Sequence, residues 1–129
     1  MSKKDSQLLI DSLARRWVAT HSPSAGTTCV AQAPAAVPGG MHYLDALGFS
    51  AVQAGGPAQT LVLTVRDSSI AGAVKAQYKM WLPATASVQD TWAVKEHSIA
   101  GDTLFVEFGT PNASVVQTIN LAGWTEEIR

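Results

Sequence analysis

The side chains best suited to bind a metal or move a proton are three histidines and one cysteine, in a chain of 129 residues. His97 directly follows Glu96, so on a strand the two side chains point to opposite faces and cannot chelate one ion. Neither His21 nor His42 has a partner ligand at the spacing of a zinc site. Cys29 has no base or metal ligand near it in sequence, which predicts a structural residue. We therefore predict no metal site and no cofactor.

The sequence also lacks a recognisable catalytic constellation. It contains neither a G-x-S-x-G nucleophile motif nor a phosphate-binding glycine loop, and its glycine pairs at 39–40 and 55–56 are typical of turns. Four acids lie at predicted turns or strands, namely Asp67, Asp90, Asp102 and Glu107. Solvated carboxylates are ordinary at turns, and nothing in the sequence pairs two of them as a glycosidase requires. We therefore expect a binding or structural protein and no enzymatic activity.

Tryptophans are the remaining candidates for ligand contact. Trp81, Trp92 and Trp124 could form an aromatic platform for a sugar, because an aromatic ring combines apolar contact area with a polar handle. The alternative, which we favour, is packing in the core or at a subunit interface, where aromatic residues are also enriched.

The N-terminal part of the chain differs from the rest. Residues 1–20 predict an amphipathic helix whose apolar stripe consists of Leu9, Ile10, Leu13 and Trp17. A lone helix of this length is marginal in water, so the stripe must rest on the chain's own body or on another subunit, and both remain open. Residues 21–40 are rich in proline, glycine and alanine, which predicts an extended arm with at most a short strand over 27–32.

Residues 41–129 predict a β-rich body. Apolar and polar residues alternate there in short runs separated by turn residues. The expected strands cover residues 41–52, 60–66, 73–82, 103–108 and 114–122, and residues 86–97 hold one or two more. Short strands at regular spacing, with no helices between them, are typical of an antiparallel β-sandwich, and we prefer a jelly roll.

The composition limits the kinds of partner that we expect for this protein. The formal net charge is −1 and only 15% of residues are charged, so no basic face for nucleic acid or for an anionic membrane is expected. The apolar N-terminal run is broken by Asp11, Arg15 and Arg16, which indicates neither a signal peptide nor a membrane span. A neutral surface of this kind suits contact with other proteins.

Three stretches resemble the small cement or decoration proteins of tailed-phage heads: MHYL at 41–44, QTLVLTVRD at 59–67 and LAGWT at 121–125. The similarity is a pattern of strands and turns that spans residues 40–125. The resemblance implies a β-sandwich or jelly roll that forms a homotrimer and clamps neighbouring copies of the major capsid protein.

The resemblance also implies a location in the virion capsid after synthesis in the host cytoplasm. Residues 1–40 would then form an arm over the shell, with Leu9, Ile10, Leu13 and Trp17 contacting the neighbouring subunit. The alternative function is a carbohydrate-binding β-sandwich module on a virion surface or tail, with Trp81, Trp92 and Trp124 as the contact residues.

Overall fold

The computed structural model describes residues 15–69 and 71–127, and these form eight β-strands and no helix. The strands are β1 (Arg16–His21), β2 (Cys29–Gln32), β3 (Gly40–Gln53), β4 (Gln59–Asp67), β5 (Val74–Leu82), β6 (Ser87–His97), β7 (Leu104–Phe108) and β8 (Val115–Glu127). They build two four-stranded sheets, the first in the order β1-β8-β3-β6 and the second in the order β2-β7-β4-β5. All pairings are antiparallel. The predicted antiparallel β-sandwich is confirmed.

The strand pairs are nested along the sequence. β1 pairs with β8, β2 with β7, β3 with β6, and β4 with β5. The two ends of the described chain therefore meet, and Arg15 forms an ion pair with Glu127 at 3.2 Å. Nesting also means that each outer face combines side chains from distant parts of the sequence.

The core lies between the two sheets. Along each strand, buried apolar side chains alternate with outward ones, since successive residues point to opposite faces. Leu63 and Val65 of β4 and Val106 and Phe108 of β7 are fully buried. Phe108 meets Phe49 of the opposite sheet edge to face, with ring centroids 5.8 Å apart. This contact spans the interior between the two sheets. The outward side chains of each sheet form an outer face.

The helix predicted within residues 1–20 is wrong in the part that the structure describes, because Arg16–His21 forms β1. Trp17 and Ala19 point inward with the period of a strand, and both pack against the core. The backbone hydrogen bonds offered by β8 and the β-branched residues nearby outweigh the local helical pattern. Leu9, Ile10 and Leu13 lie outside the described residues.

Residues 21–40 lie against the sandwich instead of extending away as an arm. Cys29–Gln32 forms β2, which pairs with β7 at the edge of the second sheet. Just after β2, the Ala33 amide donates to the Leu104 carbonyl at 2.9 Å. The proline and glycine residues of this segment shape loops around β2, so the segment is part of the folded body.

Strand β8 runs further than the predicted 114–122 because β1 and β3 bind it from both sides. Gly123 makes this close approach possible. A Cβ at Gly123 would lie 1.9 Å from the Tyr43 carbonyl oxygen and 2.6 Å from the Trp17 indole. Only glycine therefore fits there, and the neighbouring Trp124 is held on the outer face opposite Tyr43.

Candidate functional site

A trough crosses the strands on the outer face of the first sheet. Two adjoining cavities of about 580 and 270 Å³ form it, and both are lined by Gly48, Thr91 and Asn120. Further outward side chains complete the lining, namely Val18 and Thr20 on β1, Ala122 on β8, Ala46 and Ser50 on β3, and Gln89 on β6. All four strands of the sheet therefore contribute to one depression.

The trough exists because small residues coincide in register. Ala46 of β3 lies between Ala122 of β8 and Ala93 of β6, and two residues further along β3 Gly48 lies between Asn120 and Thr91. A Cβ on Gly48 would be 3.4 Å from Thr91 Oγ1 and 3.6 Å from Asn120 Cβ, which is ordinary van der Waals contact. The backbone thus tolerates a side chain at Gly48, and it is the missing side chain that leaves the floor of the trough open.

Three aromatic side chains form a ridge on the same sheet, further along β3 than the row of Ala46 and outside the lining of the two cavities. Tyr43 and Trp124 stack with ring centroids 4.2 Å apart and an interplanar angle of 5°. His97 flanks Tyr43 at 5.8 Å. The three residues are cross-strand partners on β8, β3 and β6, so the register of the sheet positions the whole ridge. We call them the aromatic ridge.

Three charged side chains next to the ridge, those of Glu126, Arg16 and Asp45, are engaged with protein partners. Tyr43 Oη donates to Glu126 Oε2 at 3.0 Å, and this hydrogen bond, with a smaller effect of burial, raises the pKa of Tyr43. Arg16 donates to Asp45 at 3.1 Å, in an exposed ion pair between β1 and β3. The part of the first sheet next to the alanine row therefore presents aromatic rings and a neutralised ion pair.

Apart from Asp90, the polar groups inside the trough are uncharged, and most lack a protein partner. Thr20 Oγ1 donates to Asn120 Oδ1 at 2.9 Å, which orients the amide. Within the described part of the chain, the Asn120 Nδ2 group and the side chains of Ser50, Gln89 and Thr91 make no hydrogen bond. These donors and acceptors are available to a ligand.

The single carboxylate at the trough is held by its neighbours. Asp90 accepts a hydrogen bond from the Thr91 backbone amide at 2.8 Å and another from Trp92 Nε1 at 3.0 Å. The two hydrogen bonds occupy one acceptor position on each carboxylate oxygen and hold the side chain against its own strand, β6. Asp90 thus acts as an anchor for the strand at the β6 end of the trough.

The four tryptophans lie in four different environments. Trp17 points between the sheets, with its ring edge-on to buried His42 at 6.4 Å. Trp92 packs against Phe49, with ring centroids 4.8 Å apart. Trp81 lies on β5 at the edge of the second sheet and is 60% exposed, and Trp124 belongs to the aromatic ridge.

The structure therefore does not bring Trp81, Trp92 and Trp124 together in one platform. Trp81 and Trp124 lie on different sheets, and Trp92 lies at the margin of the core. Sequence reasoning missed Tyr43 and His97, which the fold places beside Trp124. The signal was present in part, since Tyr43 and Trp124 both lie in stretches singled out above, but only the register shows that they stack.

A second groove of about 620 Å³ lies along the edge strand β6. Its lining includes Tyr78 and Trp92, whose rings are 5.2 Å apart, and the charged pair Lys95 and Glu96. Only Tyr78 comes from a strand other than β6. The groove is thus an edge feature, whereas the trough draws on every strand of the first sheet.

The histidines and the cysteine serve structural roles. Buried His42 bonds Thr125 Oγ1 at 2.7 Å and the Ala35 carbonyl at 3.0 Å through its two ring nitrogens. Burial raises the pKa of the Cys29 thiol to about 11, so it stays protonated near neutral pH. Among residues 15–69 and 71–127, no group of three or more His, Cys, Asp or Glu residues could hold a metal ion. The same residues include no helix long and apolar enough to cross a membrane.

No family model matches the sequence, and no curated protein matches it. Solved structures that resemble it include a CBM4 protein, at 12% identity and a TM-score of 0.39, over 85% of this chain and 84% of that chain. The N-terminal cellulose-binding domain from Cellulomonas fimi β-1,4-glucanase C matches at 14% identity and a TM-score of 0.38, over 88% and 80% of the two chains. The enzymatically active domain of bacteriophage CBA120 tailspike protein 4 matches at 13% identity and a TM-score of 0.34, over 92% of this chain and 20% of that chain. At such low TM-scores the likenesses carry no argument, so function is inferred below from the trough.

Proposed function

We propose that this protein binds an uncharged glycan in the trough of the first sheet and makes or breaks no covalent bond in it. The supporting observation is that one depression combines an open glycine floor with unpaired hydroxyl and amide groups, and that an aromatic ridge lies further along the same sheet. A sugar offers hydroxyl groups for the first kind of contact and apolar C–H faces for the second. Concave sites with a few convergent polar groups are the usual form of ligand sites.

The charges favour a neutral glycan over an acidic one. A uronic acid or sulfated sugar needs a cation, and none of the residues that line the two cavities of the trough is basic. Asp90 adds a negative charge at the β6 end of the trough. An acidic ligand would be repelled there, whereas a neutral ligand could donate a hydroxyl hydrogen to the same carboxylate.

A glycan array that contains neutral and acidic polysaccharides tests the proposal, followed by calorimetric titration with every glycan that binds. We expect neutral glycans to bind and acidic ones to fail, with quenching or a shift of tryptophan fluorescence from Trp124. Silence across the whole array would contradict a glycan-binding function.

A second candidate is the capsid cement function implied by the resemblance. Val18, Val52 and Val116 are 81%, 51% and 39% exposed on the same outer face, where a protein partner would cover them. The nested strand pairs also support the description of this sandwich as a jelly roll. In this function the partners are the major capsid protein and two further copies of the chain, in a virion.

Light scattering on the purified protein separates the two candidates. A stable trimer supports the cement function, and a strict monomer argues against it. A deletion that tests an N-terminal arm should stop at residue 14, because removing residues 16–32 would remove both β1 and β2. Loss of capsid binding in such a variant, with the fold intact, would support a role for the N-terminal residues.

A further inference from the structure

The trough is open at both ends. On one side it reaches Val18 and Thr20 of β1, and on the other Gln89 and Thr91 of β6. Both β1 and β6 are edge strands of the first sheet as formed by residues 15–69 and 71–127. All residues that line the trough belong to the strands it crosses, and none of them closes an end.

The length of the trough exceeds one sugar unit. Neighbouring strands are spaced by about 4.8 Å, so crossing from β1 to β6 takes about 14 Å. Unpaired polar groups recur along this path, with Asn120 of β8, Ser50 of β3 and Thr91 of β6 each on a different strand. A ligand with hydroxyl groups repeated along a chain matches this arrangement better than a single compact sugar.

The side chains at the β1 and β6 ends of the trough also favour a ligand that continues beyond both ends. A site that recognises a chain terminus needs a wall and polar groups that converge on the terminal sugar. Here the β1 end carries Val18 and Thr20. The β6 end carries Gln89, Thr91 and Asp90, and the Asp90 carboxylate already accepts two hydrogen bonds within β6. Nothing at either end distinguishes a terminal sugar from an internal one.

We propose that the trough binds internal segments of an unbranched, neutral polysaccharide and does not recognise chain ends. This inference rests on the proposed glycan-binding function and adds the class of ligand to it. The polymer enters over β1, crosses β8 and β3, and leaves over β6, or runs in the opposite direction.

The test uses di- and hexasaccharides derived from cellulose, laminarin, xylan, mannan and starch, each with a native and a borohydride-reduced end, together with the parent polymers. We expect the hexasaccharide of the preferred series to bind at least about tenfold more tightly than the disaccharide. Reduction of its end should leave the affinity unchanged, and the parent polymer should compete fully.

Two variants test the open ends directly. Thr20→Trp and Gln89→Trp place a large side chain at opposite ends, on exposed edge positions where the fold tolerates it. Each should weaken hexasaccharide binding about tenfold more than it weakens disaccharide binding. Their circular dichroism and melting temperature should match those of the parent protein.

The possible results separate the two proposals. If the disaccharide binds as tightly as the hexasaccharide, if end reduction abolishes binding, or if only one end variant has an effect, the internal-segment inference is overturned while glycan binding stands. If no glycan in the panel or on the array binds, both proposals fail together.

Discussion

The two outer faces of the sandwich are built from the same alternating strand pattern, yet the trough described above lies on the first face. On the first sheet, Gly48 sits between Asn120 and Thr91, with a row of alanines beside it. On the second sheet, the corresponding rows place Thr64 between Glu107 and Gln77, and Arg66 opposite Phe105. Long and charged side chains fill that face.

The difference shows that a depression on a sheet depends on the size of the side chains that lie side by side on neighbouring strands. The alternating pattern within each strand does not by itself produce one. One glycine or alanine among larger neighbours leaves little room, since side chains of adjacent strands cover it. Here a row of three alanines lies next to the row that contains Gly48, and together they leave a continuous floor. The second face has one exposed tryptophan, Trp81, but no floor beside it, so it provides a natural control surface.

The largest expected effect comes from filling the floor. Gly48→Leu should weaken binding of the preferred glycan by about a hundredfold or more, because the new side chain occupies the trough. The fold should persist, since a Cβ there makes only ordinary contacts with Thr91 and Asn120. Val62→Leu is the matched control at an outward position of the second sheet, and calorimetry should show its affinity unchanged.

A smaller effect should follow from removing the ridge tryptophan. Trp124→Ala deletes the ring stacked on Tyr43 and should weaken glycan binding by about tenfold, given the usual ~0.5–1.5 kcal/mol of an aromatic contact beyond its area. Trp81→Ala on the other face should leave the titration curve unchanged. Equal losses of glycan affinity in Trp124→Ala and Trp81→Ala would contradict the proposal that the glycan binds on the first face.

The core between the two sheets contains a buried polar side chain whose replacement by an apolar one should stabilise the protein. Gln117 is 1% exposed, and neither its amide oxygen nor its amide nitrogen is hydrogen-bonded within the described residues. Gln117→Leu should therefore raise the unfolding free energy by about 1 kcal/mol or more in urea titrations. The control is Gln53→Leu, which should destabilise, because buried Gln53 donates to the Pro83 carbonyl at 3.0 Å. A loss of stability in Gln117→Leu would contradict this account of the core.

The smallest expected effect concerns pH. Burial raises the pKa of the Cys29 thiol from 9.0 to about 11, so the folded state holds its proton more tightly than the unfolded state. The corresponding stabilisation is complete below pH 9 and is lost as the pH rises toward 11. Cys29→Ala should flatten this part of the stability profile. Iodoacetamide at pH 8 should label the folded protein far more slowly than the urea-unfolded chain.

Much of the strand content was predictable from sequence, since alternation alone located β4, β5 and β7 to within a residue or two of their ends. β1 was not, because the apolar residues Leu9 to Trp17 fit a helical period and the strand partner of Trp17 lies at Gly123. Local pattern does not reveal a partner so distant in the chain. The same reason explains why the N-terminal segment was expected to form a separate arm.

The site was less predictable than the fold. Trp124 was singled out, but its partner Tyr43 was noticed only as part of a strand. A glycine within a strand often marks a bulge, but the register shift of β3 lies between Leu44 and Ala46, before Gly48. The trough depends on Gly48, Thr91 and Asn120 meeting in one row, and that follows from the pairing of three strands rather than from any single stretch.

The most direct test is a two-dimensional ¹⁵N–¹H NMR titration of the full chain with the glycan that binds best on the array. The trough predicts shifts for the amides of Gly48, Thr91 and Asn120, and for the indole signal of Trp124. Amides of Val62 and Lys79 on the second face should remain still. Shifts confined to the second face, or spread evenly over the protein, would contradict the assignment of the first sheet as the ligand-binding face.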